Sequence, residues 1–421
     1  MIGLEILPTN IPRALEKRCG LCTLFLFHCK ASQYTLDREI GQTQNKKRKT
    51  TLILTSIIVV VSSIVIGILL IDKPSQKRLQ EPTKPYPYYS EDVAFKNAQA
   101  NITLSGTLTL PSKEGNHPAV ILITGSGPQN RDSQVLGHKP FLVISDYLTK
   151  KGIAVLRYDD RGFGQSTGDF KSGTSLDFAT DVESAVIYLK TRKEIDQNKI
   201  GLIGHSDGGM IAPMVAAKSQ DIAFIVLLAG PGIQGVKLLM MRQELMARAM
   251  GMSETEIQES KKSNEKTFEI VSRSRDVQTI KKDLAIYTKE NPPNIPIRFI
   301  PQGMTREQFV AARIDEITSP WFIYFLNYDP VPTLEKVKCP VLALNGSKDV
   351  QVPSQENLTA ISHALKNGGN ENVTIKELPN LNHFFQECKT CSLSEYATID
   401  QTFSPIALAE ISDWILRQIK N

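Results

Sequence analysis

Apolar and polar positions in the C-terminal three quarters of the chain form short strand-like segments that are separated by helical ones. Apolar runs or alternations that are typical of strands lie at residues 92–96, 102–110, 119–123, 153–158, 199–203, 222–228, 340–344 and 373–378. Helical spacing occurs near residues 141–151, 175–192, 210–218, 357–366 and 405–419. Because strands that alternate with helices build parallel sheets, the pattern predicts an α/β protein with a mostly parallel, doubly wound sheet.

This alternation stops between about residues 232 and 337. The segment follows the sixth predicted strand and is helical, charged and rich in methionine. Methionine is an adaptable packing residue, so these side chains either line a ligand pocket or hold the insertion against the sheet. The aromatic sequence WFIYF at residues 321–325 is the best candidate for a pocket wall.

The sequence GHSDG at residues 204–208 follows an apolar run and precedes a helical segment. A G-x-S-x-G sequence between a strand and a helix is typical of a nucleophile elbow, in which the serine occupies a strained turn. Gly204 and Gly208 would let the strand and the helix approach each other closely. Ser206 is therefore the predicted nucleophile, with an ordinary glycine-rich turn as the alternative.

A nucleophilic serine needs a base, and the base needs an acid to orient it. Asp349 lies in a turn after the run at 340–344, and His383 lies in the loop after 373–378. A parallel sheet presents its catalytic groups on loops at the carboxyl ends of its strands. Asp349 and His383 are therefore the predicted acid and base. The alternatives are an Asx turn at Asp349 and a structural role for His383.

The other five of the six histidines are less suitable as the base. They lie before a long apolar segment, at the start of a strand, in the loop after residues 125–127, inside the elbow and on a surface helix: His28, His117, His138, His205 and His363. Of these, His138 is placed where it could line a pocket, but it precedes the serine along the chain.

An acyl-transfer site also needs backbone donors for the oxyanion. Where an elbow carries the serine, one donor is the amide of the next residue, here Asp207, and the other lies in the loop after the third strand. That loop has the sequence TGSGP at residues 124–128, so Ser126 or Gly127 is the predicted second donor. The glycines also suit a tight turn, and the two roles are compatible.

With these motifs in this order, residues 91–421 resemble the α/β-hydrolases. DDRGFGQS at residues 159–166 matches the D-x-R-G-x-G-x-S loop of that superfamily, which implies that Asp159 and Arg161 brace the loop. GSGPQNRD at 125–132 and GHKPF at 137–141 are similar to a bacterial carboxylesterase subgroup grouped with the serine aminopeptidase (S33)-like hydrolases. The resemblance implies that residues 232–337 form a helical cap over the active site.

The N-terminal part of the chain has a different character. Residues 51–71 contain no charged side chain and are long enough to span the hydrocarbon core of a bilayer. The basic sequence KKRK at 46–49 precedes them, so we expect a single-pass signal anchor with residues 1–50 in the cytoplasm and the hydrolase outside. The proline-containing residues 72–90 are then a linker between the membrane and the hydrolase domain.

Charge and cysteine content narrow the classes of partner. The net charge of +5 is spread along the chain apart from the basic cluster at 46–49, which suits anionic lipids and gives no indication of nucleic-acid binding. Three cysteines precede the apolar segment and lack a fourth ligand for zinc. Cys388 and Cys391 are spaced for a small disulfide or for two reduced thiols.

The sequence thus predicts a membrane-anchored carboxylesterase that cleaves small to medium acyl esters with a Ser-His-Asp triad. Neither a metal nor an organic cofactor is required by such chemistry. Two alternatives are a serine aminopeptidase-like peptidase and a non-catalytic, membrane-tethered binding module. The peptidase would need an acidic or carbonyl-rich anchor for a substrate amine, and none of the acidic residues in the insertion is diagnostic.

Overall fold

The computed structural model describes residues 78–292, 300–390 and 392–420. The predicted membrane segment at 51–71, the tail before it and Cys391 lie outside these residues, so the anchor and the disulfide stay predictions. Within the described ranges, no helix is both long and apolar enough to cross a bilayer.

The strands of the described residues belong to one sheet. Their bounds are β1 (Tyr89–Asn97), β2 (Ile102–Leu110), β3 (His117–Ile123), β4 (Ala154–Tyr158), β5 (Ile195–His205), β6 (Phe224–Leu228), β7 (Val341–Gly346) and β8 (Val373–Leu378). The helices are α1 (Pro140–Lys150), α2 (Ser175–Lys190), α3 (Asp207–Ala216), α4 (Gly235–Ala249), α5 (Glu254–Ser272), α6 (Val277–Glu290), α7 (Arg306–Ile317), α8 (Pro320–Asn327), α9 (Val331–Leu334), α10 (Ser354–Asn367), α11 (Leu393–Tyr396) and α12 (Pro405–Lys420).

The sheet has the strand order β1-β2-β4-β3-β5-β6-β7-β8. β1 pairs with β2 and β2 with β4 in antiparallel fashion, whereas the pairs from β4 to β8 are parallel. This is the order of an α/β-hydrolase, and it confirms the predicted mostly parallel sheet. The carboxyl ends of β3, β5, β7 and β8 therefore meet at one edge, where the predicted site residues follow.

Helices cover both faces of the sheet because its side chains alternate between two apolar clusters. On β3, Ile121 belongs to the cluster that contains Val182 of α2 and Ile211 of α3. The neighbouring Val120 belongs to the cluster formed with α1 and α12, which includes Trp414. Two buried layers on a rigid sheet fix the positions of the loops at its edge.

Helices α4 to α9 lie between β6 and β7, where the sequence predicts the cap, and this helical insertion is called the cap below. Met246 is buried with Ile257 of α5, so this methionine holds two cap helices together rather than lining a pocket. In the aromatic sequence of α8, Phe322 and Phe325 are buried in the core, whereas Trp321 is only half-buried. Tyr324 is half-buried as well, so burial in the core does not account for these two aromatic residues of the segment.

Candidate active site

Ser206 forms a strained turn between β5 and α3. Its φ is +55° and its ψ is −116°, which is a conformation that L-residues rarely adopt. The flanking glycines permit it: a Cβ on Gly204 would lie 2.0 Å from the carbonyl oxygen of Gly208, and one on Gly208 would lie 2.3 Å from that of Ile123. Only glycine fits at either position. Ser206 itself is half-buried, while the residues on both sides of it are buried.

His383 and Asp349 lie together at the carboxyl ends of β8 and β7. The Nδ1 atom of His383 donates to Oδ2 of Asp349 at 2.8 Å, and both side chains are buried. The other carboxylate oxygen of Asp349 accepts from the backbone amides of Gln351 at 2.8 Å and Val352 at 3.0 Å. These contacts hold the Asp349 carboxylate in place. Because Nδ1 of His383 faces Asp349, the Nε2 atom of the same ring is directed away from it.

His205 connects the elbow to the loop that carries His383. Its Nε2 atom is 2.9 Å from the backbone oxygen of His383, and the two imidazole centroids are 4.8 Å apart. In the described part of the chain, no hydrogen bond joins the Ser206 hydroxyl to the His383 ring. Hydrogen bonds between a nucleophile and its base are often loose in free enzymes and tighten with substrate.

The loop after β3 lies beside the nucleophile. A Cβ on Gly125 would be 3.2 Å from the Cβ of Ser206. Among the described residues, the amides of Ser126 and Gly127 donate to no protein acceptor. Asp207 is the first residue of α3, and amides in the first turn of a helix have no acceptor within the helix. Donors to an oxyanion are thus available where the sequence predicts them, and Ser126 and Gly127 both stay candidates.

Asp160 holds this loop, a role that the motif did not predict. Its carboxyl group accepts from the Thr124 hydroxyl at 2.6 Å and from the Gln129 amide at 2.8 Å. Burial raises the pKa of Asp160 to about 8, although these two hydrogen bonds favour the carboxylate. The two adjacent aspartates after β4 were the available signal, and both of them accept hydrogen bonds from the loop between β3 and α1.

Asp159 and Arg161 form buried ion pairs on either side of Asp160. Asp159 accepts from Arg131 Nη2 at 2.8 Å, and although burial opposes ionisation, hydrogen bonds from Arg131 hold the pKa of Asp159 below its usual value. Arg161 Nε donates to Asp181 of α2 at 2.8 Å. These partners are structural elements around the loop, which is the arrangement expected of bracing residues.

The side chain of Asp207 is buried beneath the cap. It accepts from the indole Nε1 of Trp321 at 2.9 Å and from the Ser175 hydroxyl at 3.2 Å. Burial raises the pKa of Asp207 to about 6, although the hydrogen bonds from Trp321 and Ser175 favour ionisation. The sequence predicts a role for the backbone amide of Asp207 only, and the signal for its side chain was the presence of an acidic residue next to the nucleophile.

A second polar contact joins the cap to the acid side of the site. Arg242 of α4 donates from Nη2 to Oε1 of Gln351 at 3.2 Å, and the amide of Gln351 in turn donates to Asp349. Burial lowers the pKa of Arg242, while Asp349 and Glu316 oppose this effect. The positive charge of Arg242 in the cap therefore acts on Asp349. The helical periodicity of the sequence does not predict this interaction.

His138 is structural rather than a pocket residue. Its Nε2 atom donates to the backbone oxygen of Tyr396 at 3.1 Å, its Nδ1 atom is 3.1 Å from the Thr402 hydroxyl, and the side chain is buried. His117 lies at the amino end of β3, and His363 is exposed on α10. In the described ranges, no group of three or more histidine, cysteine or acidic side chains is arranged to hold a metal ion.

Comparison with known proteins is consistent with this geometry. The family described as serine aminopeptidase, S33 matches residues 141–387. Esterase EstD of Thermotoga maritima is 26% identical over 299 residues, which cover 70% of this chain. The chain spans 62% of that relative's length. An uncharacterized 31.7 kDa protein of Escherichia coli is 25% identical over 268 residues, covering 63% of this chain and 84% of that protein.

Among solved structures, the hypothetical protein PA2218 from Pseudomonas aeruginosa has a TM-score of 0.50 and 14% sequence identity, covering 82% of this chain and 98% of that one. This likeness concerns the fold. The family match extends over more than half of the chain and includes the elbow, Asp349 and His383. The protein therefore belongs to the serine aminopeptidase (S33) family and has the α/β-hydrolase fold.

Proposed function

We propose that the protein is a serine hydrolase that cleaves small to medium acyl esters by way of an acyl-enzyme. The single observation that carries the proposal is the hydrogen bond of 2.8 Å between His383 and Asp349, which lies beside the strained Ser206 at the same sheet edge. A buried imidazole with one nitrogen held by a carboxylate and the other directed away is organised as a general base.

In the proposed mechanism the Ser206 hydroxyl attacks the ester carbonyl while Nε2 of His383 takes its proton. Asp349 keeps the His383 tautomer with hydrogen on Nδ1 and stabilises the imidazolium that forms. The oxyanion accepts from the amide of Asp207 and from that of Ser126 or Gly127. His383 then protonates the leaving alcohol, and water, activated by the same base, releases the acid from Ser206.

The esterase name of the Thermotoga maritima relative supports an ester substrate, whereas the family description supports the peptidase alternative. An aminopeptidase needs a free acidic or carbonyl group to bind the substrate amine. Glu316, a cap carboxylate within the field of Arg242, forms an ion pair of 2.8 Å with Arg313. This ion pair engages Oε2 of Glu316, whereas Oε1 is buried without a hydrogen-bond partner among the described residues. The proposal of an ester substrate is therefore based on the named esterase relative and not on this carboxylate.

Covalent labelling tests the proposal directly. The wild-type protein should react with a fluorophosphonate probe, and the labelled peptide should contain Ser206. Ser206→Ala should abolish labelling and reduce ester turnover on the order of 10⁴-fold or more, with an unchanged circular dichroism spectrum. Absence of labelling in the folded wild-type protein would favour the non-catalytic binding module, and labelling that persists in Ser206→Ala would place the nucleophile elsewhere.

We also propose that residues 51–71 anchor the enzyme in a membrane, with the hydrolase outside the cytoplasm. The support is the uncharged segment and the basic sequence at 46–49. The proposed substrates therefore reach the enzyme at the outer surface of that membrane.

A further inference from the structure

The hydrogen bond between Trp321 and Asp207 links the cap to the residue beside the nucleophile. Trp321 lies in the first turn of α8, and its indole nitrogen is 2.9 Å from Oδ2 of Asp207. Asp207 is only 3% exposed. An elbow requires the backbone amide at this position and places no such demand on the side chain. The carboxyl group is therefore open to a second role.

A buried carboxylate is costly unless it is hydrogen-bonded or paired with charge. Asp207 receives two neutral donors, Trp321 and Ser175, and its position in the first turn of α3 adds the favourable field of a helix N-terminus. A residue that only packed the cap against the sheet would need no carboxyl group. The directional hydrogen bond from the Trp321 indole explains why residue 207 carries a carboxyl group.

The indole that makes this bond also packs within α8. The Trp321 ring stacks on Phe325 with centroids 5.2 Å apart, and Phe325 is buried in the core. The backbone of Phe325 also contacts α4 closely, since a Cβ on Gly235 would lie 1.8 Å from its carbonyl oxygen. Phe325 thus connects the Trp321 ring to the start of α4.

The charge of Asp207 acts on two ionisable groups, Tyr324 of α8 and Tyr328, which directly follows that helix. Burial raises the pKa of Tyr328 to about 12 and raises that of Tyr324 above its usual value, and the charge of Asp207 adds to both shifts. Both phenols are therefore neutral in the range where Asp207 titrates. No arginine or lysine of the described chain is paired with the Asp207 carboxyl group.

We propose that Asp207 is a positioning residue whose carboxyl group, through Trp321, sets the position of cap helix α8 beside Ser206 and thereby the acyl length that the site accepts. This inference rests on the proposed esterase function. The backbone amide of Asp207 donates a hydrogen bond to the oxyanion, whereas its side chain contributes to the selection of substrates by acyl length. The chemical class concerned is the acyl part of a carboxylic ester.

Kinetic selectivity is the first test. In the full-length protein, Trp321→Phe keeps an aromatic ring without the N–H donor, and Asp207→Asn keeps an acceptor without the charge. Ser175→Ala is the matched control, because it removes the other donor to the same carboxyl group without touching the cap. We expect Trp321→Phe to change the ratio of kcat/KM for p-nitrophenyl octanoate and acetate on the order of fivefold, mainly through KM. Ser175→Ala should leave the ratio unchanged.

Tryptophan fluorescence is the second test and needs no turnover. The chain has two tryptophans, so Trp321→Phe isolates the signal of Trp414. The wild-type emission should titrate with a midpoint near the pKa of Asp207, about 6, and this transition should be absent in Asp207→Asn. The same transition should appear in the KM for octanoate of the wild type and disappear in Asp207→Asn.

An acyl-length ratio that is the same in Trp321→Phe and wild type would overturn the inference, as would an equal change in Ser175→Ala. If the wild type neither hydrolyses esters nor reacts with the fluorophosphonate probe, the proposed function fails by itself. In that case a fluorescence transition that is missing in Asp207→Asn would still support the link between Asp207 and Trp321, and a retained transition would refute it.

Discussion

His205 holds the backbone of His383: its Nε2 atom and the His383 carbonyl oxygen are 2.9 Å apart. Because a carbonyl oxygen only accepts, Nε2 of His205 carries the hydrogen. Burial, together with the neighbouring His383, lowers the pKa of His205 to about 3, so the ring is neutral and keeps this tautomer at ordinary pH. The residue before the nucleophile thus positions the loop of the base.

Replacing His205 should therefore impair catalysis through the placement of His383. We expect His205→Phe, which keeps a ring and loses the donor, to reduce kcat on the order of tenfold or more, because small displacements of a catalytic group are costly. His205→Gln offers a donor at a similar distance and should retain more activity. Equal kcat values for the two variants, measured with p-nitrophenyl acetate, would show that the hydrogen bond is not required.

The same residue should contribute to the acid sensitivity of the fold. The folded pKa of His205 is about 3, below the ordinary value of 6.5, so the unfolded chain binds a proton that the folded one excludes. The stability that His205 contributes is present above pH 6.5 and is lost as the pH falls towards 3. In thermal unfolding, the Tm of His205→Gln should fall less steeply than that of the wild type over this range. Parallel curves would contradict the assignment.

Asp349→Asn should disable the base without unfolding the site. The remaining amide oxygen can still accept from the backbone of Gln351 and Val352, while the new NH2 group faces Nδ1 of His383. His383 would then carry its hydrogen on Nε2 and could not accept the serine proton. We expect kcat to fall about 10⁴-fold. Asp159→Asn is a useful comparison, because Asp159 braces a loop outside the triad and its loss should act mainly on Tm.

Asp160 should make the fold less stable at alkaline pH. Its pKa rises from 3.8 in the unfolded chain to about 8 on burial, so the folded state binds the extra proton. Stability from this group therefore falls as the pH rises through that interval. In Asp160→Asn the new NH2 group can donate to the Thr124 hydroxyl, which also accepts, and the variant should gain Tm relative to the wild type as the pH rises from about 6 to 9. A constant difference in Tm would refute this explanation.

The catalytic candidates were predictable from sequence because each one follows a strand of the parallel sheet directly. Ser206 is bounded by glycines that no other residue can replace. Asp349 lies in the loop after the buried strand β7, and His383 lies in the loop after β8, the partly exposed edge strand of the sheet. Parallel topology then brings their loops to one edge. At these residues, the local sequence pattern and the position at the edge of the sheet indicate the same role.

The contacts between cap and sheet could not be predicted in this way. Trp321 and Asp207 are 114 positions apart, and Arg242 and Gln351 are 109 apart. Their pairing depends on how the cap helices pack on the core, and helical periodicity specifies a buried face without specifying its partner. Methionine content was a poor guide for the same reason, since Met246 packs between two cap helices.

Membrane attachment should depend on residues 51–71 alone. The full-length protein should stay in membranes after a sodium carbonate wash, whereas a chain that begins at residue 78 should be soluble, because an uncharged segment of this length partitions into hydrocarbon. Protease added to intact cells or spheroplasts should digest the hydrolase domain. Release of the full-length protein by carbonate would refute the anchor, and protection from protease would reverse the orientation.

The enzyme should prefer esters to amides and short or medium acyl groups to long ones. An oxyanion site and a base suffice for an activated ester, whereas an amide also requires protonation of a poor leaving group and an anchor for the substrate amine. Glu316 is already paired with Arg313. We expect kcat/KM for p-nitrophenyl acetate and butyrate to exceed that for palmitate and for prolyl or alanyl amides. Amide turnover equal to that of butyrate would assign the enzyme to the peptidases, and a palmitate optimum would assign it to the lipases.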